Sequence, residues 1–158
     1  MSGKQQQRDQ MNPIEELIRK LEGREKEDKP ITDLLNDRDI FHPEGYASKV
    51  MEYINNEKHR VKLTSVQLRK VFHEFKAIVD GLKRENDSRP NETIERAMGR
   101  LYRLYAILEY QTKRGVLNED FKDLMFKLFD NIERYKSPQA FERAYDLLMA
   151  MVAYSKKS

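Results

Sequence analysis

Apolar residues recur at helical spacing along most of this chain, and this periodicity limits the fold more than any other feature. The clearest case begins behind Thr64-Ser65-Val66-Gln67, which is a capping-box pattern. In the stretch that follows, apolar side chains occupy the i, i+3, i+4 and i+7 positions of one helix face. These side chains are Leu68, Val71, Phe72, Phe75, Ile78, Val79 and Leu82. The pattern predicts an amphipathic helix with one buried face.

Similar patterns predict further helices, and no stretch alternates in the way that a half-buried strand does. The predicted helices start at Asn12-Pro13, Pro43, Thr64, Glu92, Asn118 and Ser137-Pro138. Gly23 and Gly115 are expected to end the first and the fourth of them. Residues 31–40 fit one or two helical turns. The sequence therefore predicts an all-α fold, a compact bundle of about five helices.

The length of 158 residues favours a single domain. Residues 1–12 are polar and are expected to form a disordered tail, and residues 156–158 a frayed end. The helical bundle is predicted to span residues 13–155.

The apolar runs are far shorter than the roughly 20 residues of a membrane-spanning helix, and the polar start lacks the apolar centre of a signal peptide. The chain contains no cysteine, which excludes disulfides and thiolate metal sites. A cytoplasmic protein without a membrane partner is the expectation.

Local catalytic motifs are missing from the sequence. His42, His59 and His73 are its only histidines, and none stands three or four residues from another. There is also no phosphate-binding glycine loop, nucleophile elbow or HExxH motif. We therefore expect no enzymatic activity, no cofactor and no bound metal.

Positive charge is concentrated in two places, although 30 basic residues stand against 27 acidic ones and the net charge is only +3. The two longest stretches without Asp or Glu are residues 58–73 and 96–108. Their basic residues are Lys58, Arg60, Lys62, Arg69, Lys70, Arg96, Arg100 and Arg103. This distribution predicts two local basic patches.

The predicted helix over residues 92–114 carries an arginine stripe. At about 100° per residue, its arginines fall within a sector of about 60°, with Tyr110 beside them. They are Arg96, Arg100, Arg103 and Arg114. The stripe spans about 27 Å, long enough to follow several phosphates of a nucleic-acid strand. A solvated charged face explains the same pattern.

The other patch surrounds a helix start. Lys62 precedes the capping box in an expected loop, and Arg69 and Lys70 lie in the first turns of the helix. Free N–H groups at a helix start suit phosphate, whereas basic residues there are unfavourable for the helix dipole. Basic residues at a position where they destabilise the helix suggest that their charge has a function. Neutralisation by acidic neighbours such as Glu74 is the alternative.

Three segments resemble motifs of one family in order and spacing. They are KLTSVQLRKVF at 62–72, EYQTKR at 109–114 and AFERAYDLLMAMVAYSKK at 140–157. Together they resemble the small subunits of type III-A CRISPR effector (Csm) complexes, over about residues 46–157. The chain departs from the family pattern at Thr112-Lys113, Met149 and Ser155.

The resemblance implies a helical bundle without catalytic activity that stacks in several copies beside the guide-RNA filament. Such subunits hold target RNA largely through its phosphates, while sequence is read by guide–target pairing. The implied partners are the target RNA, the guide ribonucleoprotein, further copies of the chain and the larger subunits of the complex. Motif positions implicate Lys62, Arg69, Lys70 and Arg114, whereas Arg100 and Arg103 come from the stripe alone.

Two other functions remain open from the residues alone. One is a helical DNA-binding regulator that uses the helix from Thr64 to Leu82 for recognition, which sequence-specific duplex binding would support. The other is an enzyme whose site is assembled from distant residues, which turnover by the purified chain would support.

Overall fold

Helices make up all the regular secondary structure in the part of the chain that the structure describes. The computed structural model describes residues 11–23, 29–56, 63–85 and 89–155. Within these ranges the chain forms eight helices and no strand. They are α1 (Pro13–Glu22), α2 (Ile31–Leu34), α3 (Asp37–Phe41), α4 (Tyr46–Ile54), α5 (Ser65–Glu85), α6 (Pro90–Lys113), α7 (Glu119–Tyr135) and α8 (Pro138–Ala153). The predicted all-α class is confirmed.

The predicted number of about five helices is lower than the eight observed, and two of the additional helices are short ones within residues 31–41. A capping box starts α3: the Asn36 side chain accepts from the Asp39 N–H at 2.8 Å, and the Asp39 carboxylate accepts from the Asn36 N–H at 3.0 Å. Ile31 and Ile40 are fully buried. Single helical turns show no periodicity in the sequence, and here packing and the cap stabilise them.

α4 begins at Tyr46, not at Pro43 as the sequence suggested. The Gly45 N–H donates to the His42 carbonyl at 2.7 Å and closes a turn. A Cβ on Gly45 would lie 2.4 Å from the Asp39 carbonyl oxygen. The backbone therefore approaches α3 too closely for any other residue, and the helix starts after this turn.

α5 is the central helix and packs against both α6 and α8. Its Phe75 is fully buried and stacks on Phe129 of α7 and Phe141 of α8, with ring centroids 5.8 and 6.2 Å away. Buried apolar residues from all eight helices form one cluster around these rings. Burial of such large side chains is the main stabilising contribution to the fold.

Asn131 of α7 joins the N-terminal helices to the rest of the bundle. Its side chain is buried, with Oδ1 accepting from the Ile31 N–H at 2.8 Å. Its Nδ2 donates to the carbonyl oxygens of Leu21 at 3.3 Å and Lys29 at 3.0 Å. One amide thus satisfies three backbone groups at the end of α1 and the start of α2.

Two side chains at the C-terminal end make similar links. Arg143 of α8 donates from Nε to the Leu35 carbonyl at 3.1 Å and from Nη1 to Asp37 Oδ1 at 2.8 Å. The Tyr154 hydroxyl donates to the Phe41 carbonyl at 2.7 Å. The segment before residue 45 is therefore hydrogen-bonded to both α7 and α8.

Replacement by alanine should change the stability in opposite directions at two glycines, one within α6 and one just after it. A Cβ on Gly99, an exposed helical residue, would meet nothing within 4 Å, so Gly99→Ala should stabilise the fold by about 0.5–1 kcal/mol. Gly115 has a φ of 77° and ends α6, so Gly115→Ala should destabilise it by about 1–2 kcal/mol. Urea denaturation measures both changes. Shifts of the same sign would contradict the assigned backbone conformations.

Candidate nucleic-acid interface

α5 and α6 run antiparallel and leave a groove between them, so that the first half of α5 faces the second half of α6. The wider end of the groove is a hollow of about 430 Å³. From α5 it is lined by Gln67, Lys70, Val71, His73 and Glu74. The opposite wall is lined by Leu104, Ile107, Leu108 and Gln111 of α6, with Leu117 beyond its end. The floor of this hollow is apolar and its rim is polar.

A second depression continues the hollow along the same two helices. It measures about 190 Å³ and shares Glu74, Leu104 and Ile107 with the hollow. Arg100 and Arg103 line it from α6. We call the hollow and this depression together the α5–α6 groove. It brings Lys70 of one predicted basic patch together with two arginines of the other.

Arg100 is held in place across the helix pair. Its Nη1 donates to the Ala77 carbonyl of α5 at 3.3 Å. The guanidinium also lies beside Gly81, where an added Cβ would come 3.1 Å from Nη1. The small residue on α5 thus leaves room for the arginine, and one hydrogen bond orders it without neutralising its charge.

Arg114 and Tyr110 form an exposed cation–π pair at the end of α6. The Arg114 Cζ lies 5.5 Å from the centre of the Tyr110 ring, which is 60% exposed. The Arg114 N–H donates to the Tyr110 carbonyl at 3.0 Å, and Gly115 then turns the chain in the left-handed conformation. The helix end therefore fixes the position of this pair.

The remaining predicted site residues are placed differently. Arg69 is exposed on α5, but it does not line the groove. Lys62 lies outside the described residues. The groove thus includes Lys70, Arg100 and Arg103, while Arg69 and Arg114 lie on the surface outside its walls.

The opposite flank of α6 faces α7 and carries charges of both signs, with Lys122 near Glu109 and Lys136 near Glu95. The Tyr102 hydroxyl donates to Glu133 and the Tyr105 hydroxyl to Asp130, each at 2.6 Å. Burial, followed by the hydrogen bond to Asp130, raises the pKa of Tyr105 well above its ordinary value, so this hydroxyl remains a donor. The carboxylates on the α7 side of α6 are thus paired with tyrosine hydroxyls or lysines, whereas Arg100 and Arg103 lie on the side toward α5.

Sequence reasoning missed the role of Ile107 at this site. Its side chain is 47% exposed and lines both parts of the groove. The sequence could have indicated this position, because about 100° per residue places Ile107 on the same helix face as the arginine stripe. Ile107 gives both parts of the groove a shared apolar wall. Glu74, treated from sequence only as a neutralising neighbour, also lines both parts.

Nothing in the described ranges gathers three or more His, Asp or Glu side chains in a position to hold a metal ion. His42 accepts from the Glu44 N–H at 3.0 Å, and His73 lines the hollow. His59 lies outside the described residues. The two described histidines thus lie in separate parts of the fold.

The fold and the groove define a small all-helical protein with a basic cleft between two long helices. A family model described as Csm2 Type III-A matches residues 45–158, which is well over half of the chain. The chain belongs to the Csm2 Type III-A family, and it is therefore a small subunit of a type III-A CRISPR Csm complex. Membership implies other Csm subunits and RNA as partners.

The family match agrees with the resemblance that the three sequence motifs indicated over residues 46–157. It favours the Csm subunit over a DNA-binding regulator. Comparisons with curated proteins and with solved structures found no match. Among the described helices, none combines the length and the apolar character that a membrane span requires.

Glu74 places a carboxylate within the basic groove, and removing its charge tests whether RNA binds there. Glu74→Gln keeps the shape of the side chain and is expected to tighten binding roughly two- to fivefold at 0.1 M salt. Titration of a fluorescent single-stranded RNA measures the effect. Glu142→Gln, an exposed change on α8, is the control and should have no effect. Weaker binding by Glu74→Gln would instead mean that Glu74 positions the arginines.

Proposed function

We propose that the chain is a non-catalytic subunit that stacks in several copies beside the guide RNA and holds target RNA by its phosphates. The observation that carries this proposal is the convergence of Lys70, Arg100 and Arg103 along one groove. Family membership supplies the RNA-guided complex in which the groove operates. The proposal places the chain in the cytoplasm.

The residue types in the groove suit phosphate. Arginine offers a planar fork of donors that binds phosphate through two hydrogen bonds, and lysine adds a point charge. Arg100 is already ordered by its bond to Ala77, so less side-chain entropy is lost when it binds. Arg69 and Arg114 extend the basic surface beyond the groove.

The groove does not need to read sequence. In RNA-guided systems, base pairing between guide and target selects the strand, and protein contacts to the backbone position it. A few local cations therefore suffice, in agreement with a net charge of only +3. In this proposal the larger subunits of the complex supply the chemistry.

The stacking of copies is tested by varying exposed side chains outside the groove. Tyr102 on α6 and Met149 on α8 are two such residues in the described part of the chain. If either forms a contact between copies, its replacement by glutamine should weaken self-association in sedimentation experiments.

The test is the salt dependence of binding to unrelated single-stranded RNAs of equal length. The affinity should be independent of the RNA sequence. The logarithm of the binding constant should fall linearly with the logarithm of the salt concentration, with a slope of about −0.7 per phosphate contacted. Arg69→Ala and Arg114→Ala should each give a shallower slope. An affinity that depends on sequence, or no binding at low salt, would contradict the phosphate-holding role.

A further inference from the structure

We propose that the hollow of the α5–α6 groove receives one unpaired nucleobase of the bound RNA strand. The cations beside it, Lys70, Arg100 and Arg103, would hold the flanking phosphates. This inference rests on the proposed function and adds a base site to what is otherwise backbone binding.

The size of the hollow suits a small planar group. Its volume of about 430 Å³ falls within the range of about 300–1,000 Å³ that small-molecule sites occupy. Between Gln67 and Glu74 it extends along only two turns of α5, or roughly 10 Å. A helix that contacts a groove at i, i+3, i+4 and i+7 covers the same length, roughly 10 Å, so length alone does not separate a base from a partner helix. The dimensions therefore admit a base, and the charges around the hollow decide between the two occupants.

The floor of the hollow offers an apolar surface for a ring. Val71, Leu104, Leu108 and Leu117 are buried beneath it, and Ile107 projects from α6 with 47% of its surface exposed. In the free protein the part of this patch that faces water is chiefly the Ile107 side chain. An unstacked base would cover the patch, and packing against it would offset part of the stacking energy given up when the base leaves its neighbours in the strand.

The rim carries groups that match base edges without selecting one base. Gln67 and Gln111 lie on opposite walls, and each amide both donates and accepts hydrogen bonds. His73 adds a ring with the same dual capacity. Every base presents donors and acceptors on its edge, so such a rim would tolerate all four.

Charge favours a nucleic acid over an apolar protein segment. Lys70 stands on the rim, and Arg100 and Arg103 line the adjoining depression, against one carboxylate, that of Glu74. The net positive charge suits a polyanion that carries a base between its phosphates. A protein occupant would have to bring acidic residues on both sides of an apolar side chain.

The experiment compares oligouridine with an abasic ribose–phosphate oligomer of the same length, which keeps the phosphates and lacks the bases. Full-length wild-type protein should bind oligouridine about tenfold more tightly, with equal salt slopes for the two oligomers. Ile107→Gln removes the exposed apolar wall without changing charge, and it should abolish the preference. Val66→Gln is the matched control, because Val66 is 58% exposed on α5 but does not line the hollow. It should retain the preference.

The outcomes separate this inference from the function on which it rests. Equal affinity of the wild type for both oligomers, with steep salt slopes, would overturn the base site and leave phosphate binding intact. No binding of either oligomer would overturn both. If Ile107→Gln kept the preference for oligouridine but altered the sedimentation of the protein, the hollow would be a contact between copies, and the base site would be wrong.

Discussion

Asn131→Ala is expected to destabilise the fold by about 2–4 kcal/mol, because it would remove the hydrogen bonds of two buried backbone groups and of a third, partly buried one. The Ile31 N–H would lose its acceptor, and the carbonyls of Leu21 and Lys29 would lose their donor. A chain of this size should then melt at a temperature roughly 10 °C lower. Circular dichroism with urea and thermal denaturation measures both quantities.

The control for this prediction is Asn91→Ala, which removes an exposed amide in the first turn of α6. It should change the unfolding free energy by less than about 0.5 kcal/mol. If the two variants unfolded at the same urea concentration, the hydrogen bonds of the Asn131 amide would not stabilise the packing of α1 and α2 against α7.

Combined removal of the groove cations should have the largest effect on RNA binding. The variant with Lys70→Gln, Arg100→Gln and Arg103→Gln removes three phosphate contacts, so its salt slope should fall by about 2. If the two proteins bind equally at about 1 M salt, this difference in slope makes the variant weaker at 0.1 M salt by a factor on the order of 100. Because all three side chains are exposed, their removal should leave the helical circular dichroism spectrum unchanged.

A matched variant separates local from overall charge. Arg19→Gln, Arg38→Gln and Lys49→Gln remove three exposed cations from α1, α3 and α4, outside the groove. The net charge changes equally, but the salt slope should remain near that of the wild type. Identical slopes for the two triple variants would show that RNA responds to net charge alone and would contradict a binding groove.

The helices themselves were predictable because their causes are local. The cap at Thr64 appears where the capping-box pattern predicts it, with the Gln67 N–H donating to the Thr64 hydroxyl at 3.1 Å. Asn118 and Ser137 cap α7 and α8 in the same way. A cap and a periodic apolar face lie within a few residues of each other, so one sequence suffices to find them.

The groove was not predictable, since it depends on how two helices pack. The sequence placed Lys70 and Arg103 on separate helices, but not the antiparallel pairing that brings them to one groove. Gly45 is similar, because its need for glycine arises from the Asp39 carbonyl of another helix. In both cases the decisive neighbour lies on a different element, where no periodicity reports it.

The hydrogen bonds from α7 and α8 to the segment before residue 45 affect where the chain could be truncated. The family match starts at residue 45, yet Asn131, Arg143 and Tyr154, all within the match, have partners before that residue. A truncation at residue 45 would strip these polar side chains of their bonds and expose the apolar surface under α1. The stretch that the family model matches is thus shorter than the stretch over which the hydrogen bonds of this fold extend.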